Sequence, residues 1–195
     1  MTETIAPELR WLDAAAPPYD GVHALVVQMA RAQAAVGWLT VPPRAEIAAW
    51  LDAILTDGAR VVAAHDEQGQ LVGFGYWLRQ PAVVLAHSGE IRKVMVHPAA
   101  QGRRVGRAVV SLLIADATAA GVELLLLDVR GNNHSALRLY AGLGFVVSGR
   151  RPDLIAVGAD RFDQVLMHRE GPRPDGITRH GGRCEGPGCT PAPVT

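Results

Sequence analysis

Residues 101–108 read QGRRVGRA and follow the run IRKVMV, residues 91–96, with only HPAA between them. The β-branched and apolar residues of that run predict a strand. Beyond the stretch, Val105, Ala108, Val109, Leu112 and Leu113 recur at i, i+3, i+4, i+7 and i+8 until Gly121, which predicts an amphipathic helix closed by a glycine. VELLLLDV, residues 122–129, is then apolar without alternation, as expected of a strand covered on both faces. Strand, helix and strand in this order imply a right-handed parallel crossover, so one βαβ unit lies at the centre of the fold.

Outward from that unit, GVHALVVQMARAQAAVGW and PRAEIAAWLDAILTDG carry apolar residues at helical spacing, each ending at a glycine, and predict two initial helices. ARVVAAH and QLVGFGYWLR are β-type runs joined by DEQGQ and predict an antiparallel hairpin. GEIRKVMVHP is the third strand. On the other side, Ala136, Leu139, Tyr140 and Leu143 take helical spacing before Gly144, and FVVSG and RFDQVLMHR supply two last strands. The sum is a mixed α/β sheet with no internal repeat.

The chain has 195 residues, 49% of them hydrophobic, enough for one domain with a substantial core. Its 19 basic and 19 acidic residues cancel, so no global field recruits nucleic acid or an anionic membrane, and any anion site is local. MTETIAPELRW lacks the features of a secretion signal, and no apolar run approaches the ~20 residues that span a bilayer; a cytoplasmic protein is expected. From Gly171 the chain is rich in Gly and Pro and poor in large apolar residues, so the domain is expected over residues 1–170 and a disordered tail over 171–195. Cys184 and Cys189 fall in that tail; two thiols with His180 make a weak metal motif, and no metal is expected.

A turn from a parallel strand into a helix directs several backbone N–H groups and the positive end of the helix dipole at one point, where phosphate fits. Gly102 and Gly106 permit close approach of a ligand, and Arg103, Arg104 and Arg107 add charge. From these residues alone, a pyrophosphate cradle and a solvated arginine face stand level. There is no GxxxxGK followed by Ser or Thr, and no GxGxxG with an acidic residue about twenty positions on, so neither a P-loop NTPase nor a Rossmann dinucleotide enzyme is indicated.

IRKVMVHPAAQGRRVGRAVV, LLLLDVR and NNHSALRLYAGLGF together resemble the GCN5-related N-acetyltransferase (GNAT) superfamily, over roughly residues 59–169. The family reads strand, Q/R-x-x-G-x-G/A loop, helix, strand, N-x-x-A-x-x-L-Y helix. One position departs: aligned from Gln101, Arg104 stands where the family has its first glycine, and Gly106 matches the second. The resemblance implies a single-domain GNAT fold, a mixed and mostly antiparallel sheet with a central splayed parallel βαβ unit flanked by helices. It implies acetyl-CoA as cofactor, with pantetheine along Val94, Met95 and Val96 and pyrophosphate on Gln101, Gly102, Arg103, Arg104, Val105, Gly106 and Arg107. Asn133 matches the family asparagine near the pantetheine and also suits an N-cap.

For catalysis, the resemblance places Tyr140 where many members carry the tyrosine that protonates the CoA sulfur; packing alone would give it the same spacing. Two carboxylates compete for the base. Glu90 stands at the offset used by histone-acetylating members, and Asp128 where ribosomal-protein acetyltransferases place a glutamate; either could instead be paired with Arg92 or Arg130. AAVGWL, GEIRKVMVHPAAQGRRVGR, LLLLDVR and RLY are similar to the tabtoxin-resistance type, which uses both positions with the tyrosine. The expected acceptor is a primary amine of a small molecule, such as an antibiotic or amino-acid toxin, with a homodimer left open. Alternatives are a protein N-terminal or lysine acetyltransferase, and a non-catalytic acyl-CoA-binding module. His97 is expected in a loop role, Trp38 at the acceptor border, and Arg150, Arg151 and Asp153 in the loop between the last strands.

Overall fold

The computed structural model describes residues 7–32, 37–38 and 40–177. Strand β1 (Glu8–Trp11) precedes helices α1 (Tyr19–Arg31) and α2 (Arg44–Thr56); then come β2 (Arg60–His65), β3 (Leu71–Arg79) and β4 (Ser88–Val96). Helix α3 (Val105–Ala119), β5 (Leu124–Arg130), α4 (His134–Ala141), β6 (Val146–Val157) and β7 (Asp160–Glu170) complete the chain. One seven-stranded sheet results, in the order β1-β2-β3-β4-β5-β7-β6, with β4–β5 its parallel pair. The mixed α/β fold with its central βαβ unit is therefore as expected.

Three readings are corrected. The chain begins with a strand ahead of the two helices: β1 is a four-residue edge, too short to show a period. β6 runs to Val157, so Arg150, Arg151 and Asp153 lie within a strand, where a register shift between Arg151 and Ile155 absorbs Pro152 and the positive φ of Asp153, and only Gly158 and Ala159 turn the hairpin. Finally, β5 is not covered on both faces: Leu125, Leu127 and Val129 are buried against α3 and α4, but Asp128 on the other face is exposed.

Each sheet face carries its own core. On one, α3 and α4 bury Val105, Val109, Val110, Leu113 and Tyr140 against Val62, Ile91, Leu125 and Val129. On the other, α1 and α2 bury Leu25, Val26, Ile47 and Leu51 against Val61, Phe74, Tyr76 and Met95. Alternation along β3 decides which residue goes where, but two glycines in VGFG decide how close α3 comes. A Cβ on Gly73 would lie 2.6 Å from Val105 Cγ1 and 3.0 Å from Ala64 Cβ; one on Gly75 would lie 3.0 Å from Val109 Cγ1. Gly73→Val is therefore expected to overpack the α3–β3 contact and cost roughly 1–3 kcal/mol, seen as a melting temperature lowered by several degrees; an unchanged melt would mean α3 sits further from the sheet.

Among the described residues, no helix is long and apolar enough to cross a membrane, and no group of three His, Cys, Asp or Glu could hold a metal ion. The expected domain boundary falls at the end of β7, although the Gly171 amide still donates to Glu123 O. Cys184, Cys189 and most of the expected tail lie outside the described residues.

Candidate active site

The parallel pairing of β4 with β5 covers only Ser88↔Leu124, Gly89↔Leu125 and Glu90↔Leu126. Past Glu90 the two strands separate, and the local cause is a bulge: Tyr76 pairs with Arg92 but Phe74 with Met95, leaving an extra residue on β4 at Lys93, whose φ is +51°. Such a bulge bends the strand that carries it. The opening it leaves is the place where the two faces of the sheet can communicate.

Two cavities meet there. One, about 610 Å³, is lined by Glu90, Arg92, Lys93, Asp128, Arg130 and, from β6 and β7, Ile155 to Val157 and Gln164. The other, about 770 Å³, runs along Val94, Val96 and the 101–107 loop toward α4, past Leu139. Val94, Arg130, Asn133, Ala136 and Tyr140 line both. Glu90, Asp128 and Tyr140, from three elements, thus border one continuous space.

Their environments differ. Glu90 accepts from Arg92 Nη2 at 2.5 Å and Gln80 Nε2 at 3.2 Å, with its side chain 17% exposed. Asp128, on the open face of β5, accepts no hydrogen bond among the described residues. Tyr140 is 7% exposed and stacks edge-on against Phe145 at 5.8 Å. Burial pushes its hydroxyl well above the usual phenol range, and the nearby charge of Asp128 adds to the shift. It is therefore protonated at neutral pH.

The second cavity is lined by backbone amides at the start of α3. The backbone N–H groups of Gly102, Arg104, Val105, Gly106 and Arg107 have no acceptor among the described residues; the last three open the 15-residue helix α3, Arg104 caps it, and Gly102 lies in the turn before it. Arg104, where the family glycine was expected, adopts the left-handed conformation that glycine would take freely, φ +61°. Arg104→Gly should relieve that strain, giving a net gain of roughly 0.5–1 kcal/mol after the added freedom of the unfolded chain. A melting temperature raised by a degree or more would show it, and a lowered one would mean that the arginine side chain holds the loop.

Other loop residues are placed less simply. Arg103 lines a separate cavity beside the β2–β3 turn, with His97 and Asp66. The Arg107 guanidinium donates to Gly142 O at 3.1 Å, tying α3 to the end of α4. Gly106 is buried, and an added Cβ would lie 3.3 Å from Val96 Cγ2 and 3.4 Å from Leu139 Cδ2, so this glycine also serves helix packing. Of the strand run, the Met95 side chain is fully buried in the α1–α2 core. His97 N donates to Val72 O, so alternation turns Met95 N–H toward β3, and Val94 and Val96 N–H toward the opening. Asn133 caps α4, its Oδ1 accepting from Ala136 N at 3.2 Å, and His97 Nδ1 accepts from Ala99 N.

The residue that sequence patterns did not single out is Lys93. Its ammonium lies 4.0 Å from the centroid of Trp38, which packs edge-on against Trp50. Only its place in GEIRKVMV, a cation inside an apolar strand, could have drawn notice.

Comparison with known proteins agrees with this geometry. The model of the acetyltransferase (GNAT) family matches residues 23–145. The chain belongs to that family. An L-amino acid N-acyltransferase of Escherichia coli is 32% identical over 109 residues, 54% of this chain; the chain spans only 61% of that relative's length. Among solved structures, a GNAT superfamily phosphinothricin acetyltransferase from Sinorhizobium meliloti in complex with AcCoA superposes with a TM-score of 0.78 at 22% identity, covering 93% of this chain and 97% of that one. A ribosomal-protein-alanine N-acetyltransferase from Brucella melitensis does so with a TM-score of 0.73 at 24% identity, over 84% and 99%. These two likenesses carry the fold; the family membership rests on the sequence match.

Proposed function

We propose that this GNAT-family chain is an acetyl-CoA-dependent N-acetyltransferase that acetylates the primary amine of a small molecule by direct attack. The observation that carries the reading is the meeting of an anion-binding groove and a charged cavity at Val94, Asn133, Ala136 and Tyr140. The residues fit the cofactor: five free amides at the α3 N-terminus suit a pyrophosphate, and the Val94 and Val96 N–H groups, on the unpaired edge of β4, suit the amides of a pantetheine arm.

Bound acetyl-CoA supplies an activated thioester at the seam. Asp128 takes the proton from the incoming ammonium, with Glu90, fixed by Arg92, holding that end of the acceptor or relaying the proton through water. Tyr140, buried and protonated, would hold at the seam the proton that a leaving thiolate needs. A β4 N–H in the splay, of Val94 or Val96, would be placed to donate to a thioester carbonyl there.

A small acceptor is favoured because β6 walls the cavity through Ile155 to Val157 and β7 through Gln164, and about 610 Å³ suits a small ligand. Acetyl incorporation measured over a panel of free amino acids, other small amines and peptides should give higher kcat/KM for the small acceptors. Uniform preference for peptides would transfer the reading to protein N-termini or lysines.

A further inference from the structure

Glu90 is held through one of its two oxygens. Arg92 Nη2, at 2.5 Å, and Gln80 Nε2, at 3.2 Å, both donate to Oε2, and Oε1 accepts no hydrogen bond among the described residues. A carboxylate offers about four lone-pair sites, so the half of Glu90 that is still able to accept borders the cavity it lines.

The β3–β4 ladder explains the contact. Leu78 pairs with Glu90 and Arg79 with Gly89, and Gln80 N donates to Ser88 O at 3.0 Å, so Gln80 lies on the same sheet face as Glu90 and within diagonal reach of it. The neighbouring backbone is pinned. The Arg79 guanidinium donates to Ala86 O and Ala120 O, and Ser88 Oγ donates to Leu85 O at 2.8 Å. Arg92 is fixed in turn, because it also interacts with the hydroxyl of Tyr76, its ladder partner on β3. The two donors therefore reach Oε2 from side chains already set in place.

Asp128 has no such support, since it accepts no hydrogen bond among the described residues. The two carboxylates of the cavity thus differ in freedom: one is clamped through a single oxygen, and the other can change its protonation without losing a partner. Gln80 brings no charge to this arrangement, only a direction. We propose that Gln80 is a positioning residue, which fills Oε2 of Glu90 together with Arg92 and so presents Oε1 to the cavity, where it accepts from the acceptor's ammonium. Glu90 is then the carboxylate that binds the acceptor, and Asp128 the one that takes its proton. This rests on the acetyl-transfer reading and adds to it the division of work between the two carboxylates.

Gln80→Met tests it, because the side chain keeps its length and its neutrality and loses only the donor. With acetyl-CoA saturating and any primary amine that the wild type acetylates as the varied substrate, Gln80→Met should raise the acceptor's KM about 3- to 10-fold, the scale of one hydrogen bond, and lower kcat by less. Glu90→Gln should raise the same KM, and adding Gln80→Met to it should raise KM no further, since both residues act through one contact. An unmoved KM in Gln80→Met would make Gln80 a surface contact and overturn the inference. A loss larger in kcat than in KM would overturn it by assigning Glu90 to proton transfer, and a further rise in the double variant by showing that Gln80 acts without Glu90. Calorimetric titration with acetyl-CoA shows that each variant is folded; should Gln80→Met fail that control, Gln80→Asn, whose amide stops one methylene short of Glu90, carries the same expectation. Acetylation of no primary amine by wild type that binds acetyl-CoA would remove the acetyl-transfer reading and the inference together, whereas turnover with an unmoved KM removes the inference alone.

Discussion

Tyr140→Phe is expected to lower kcat by roughly 10²-fold or more, the usual worth of general-acid catalysis, with acetyl-CoA affinity unchanged. The substitution keeps the ring that packs edge-on against Phe145 and deletes only the hydroxyl at the seam of the two cavities. Because that hydroxyl makes no hydrogen bond among the described residues, its removal strands no partner, and stability should scarcely change. The sign of the pH effect follows from the raised pKa: the proton stays on Tyr140 to a higher pH than on an ordinary phenol, so wild-type turnover should show no alkaline loss below about pH 10 from this group. Initial rates and calorimetry on the same preparation decide the matter. Normal turnover would make Tyr140 a core residue and solvent the proton source.

Asp128→Asn should produce the other large loss, about 10²-fold in kcat at neutral pH, and a larger one than Glu90→Gln. Asp128 is exposed to the cavity, whereas Glu90 already accepts from Arg92 and Gln80. An alkylamine acceptor has a pKa of about 10, so as pH rises toward that value more of it arrives without the proton the base must remove. The Asp128→Asn deficit should therefore shrink with rising pH. Glu90→Gln should instead combine a smaller rate loss with lower stability, since it leaves Arg92 without its anion. A pH–rate profile parallel to wild type in Asp128→Asn would assign that carboxylate to binding alone.

The central βαβ unit was legible because α3 and β5 carry simple patterns: period 3.6 in VGRAVVSLL and an unbroken apolar run in LLLL. The loop between β4 and α3 was legible in residue type but less so in direction. Glycines and arginines at a helix start indicate an anion site, yet Arg103 faces a different cavity and Arg107 an α4 carbonyl, because tertiary neighbours, not spacing, aim long side chains. Elements made by pairing were hardest to read. β1 exists through its ladder with β2, and β6 is held by β7 on either side of Pro152 and a positive-φ Asp153 that read locally as loop. Lys93 escaped notice for a related reason: the bulge that displays it is a mismatch between two strands, and neither strand alone announces it.

Both carboxylates and the tyrosine were recognisable through the family resemblance, but their inequality was not. That depends on which arginine reaches which carboxylate across a strand, and the structure gives Arg92 to Glu90 and Arg130 to Asn132. Nor could the sequence say that Tyr140 and the two carboxylates approach from opposite faces of the sheet. The tyrosine packs with the α3–α4 core, and Arg92, paired with Glu90, lies opposite Tyr76, which belongs to the α1–α2 core. They share a site only because β4 leaves β5 after Glu90.

The measurement that tests the account most directly is release of free CoA thiol from acetyl-CoA by the purified full chain, with and without primary amines, with mass spectrometry of the acceptor. The account predicts thiol release that depends on the amine, is matched mole for mole by N-acetylated product, and is strongly reduced in Asp128→Asn and Tyr140→Phe. Release no faster with any free amino acid, small amine or peptide than without one, from a folded protein that binds acetyl-CoA, would contradict it and leave a binding module in place of an enzyme.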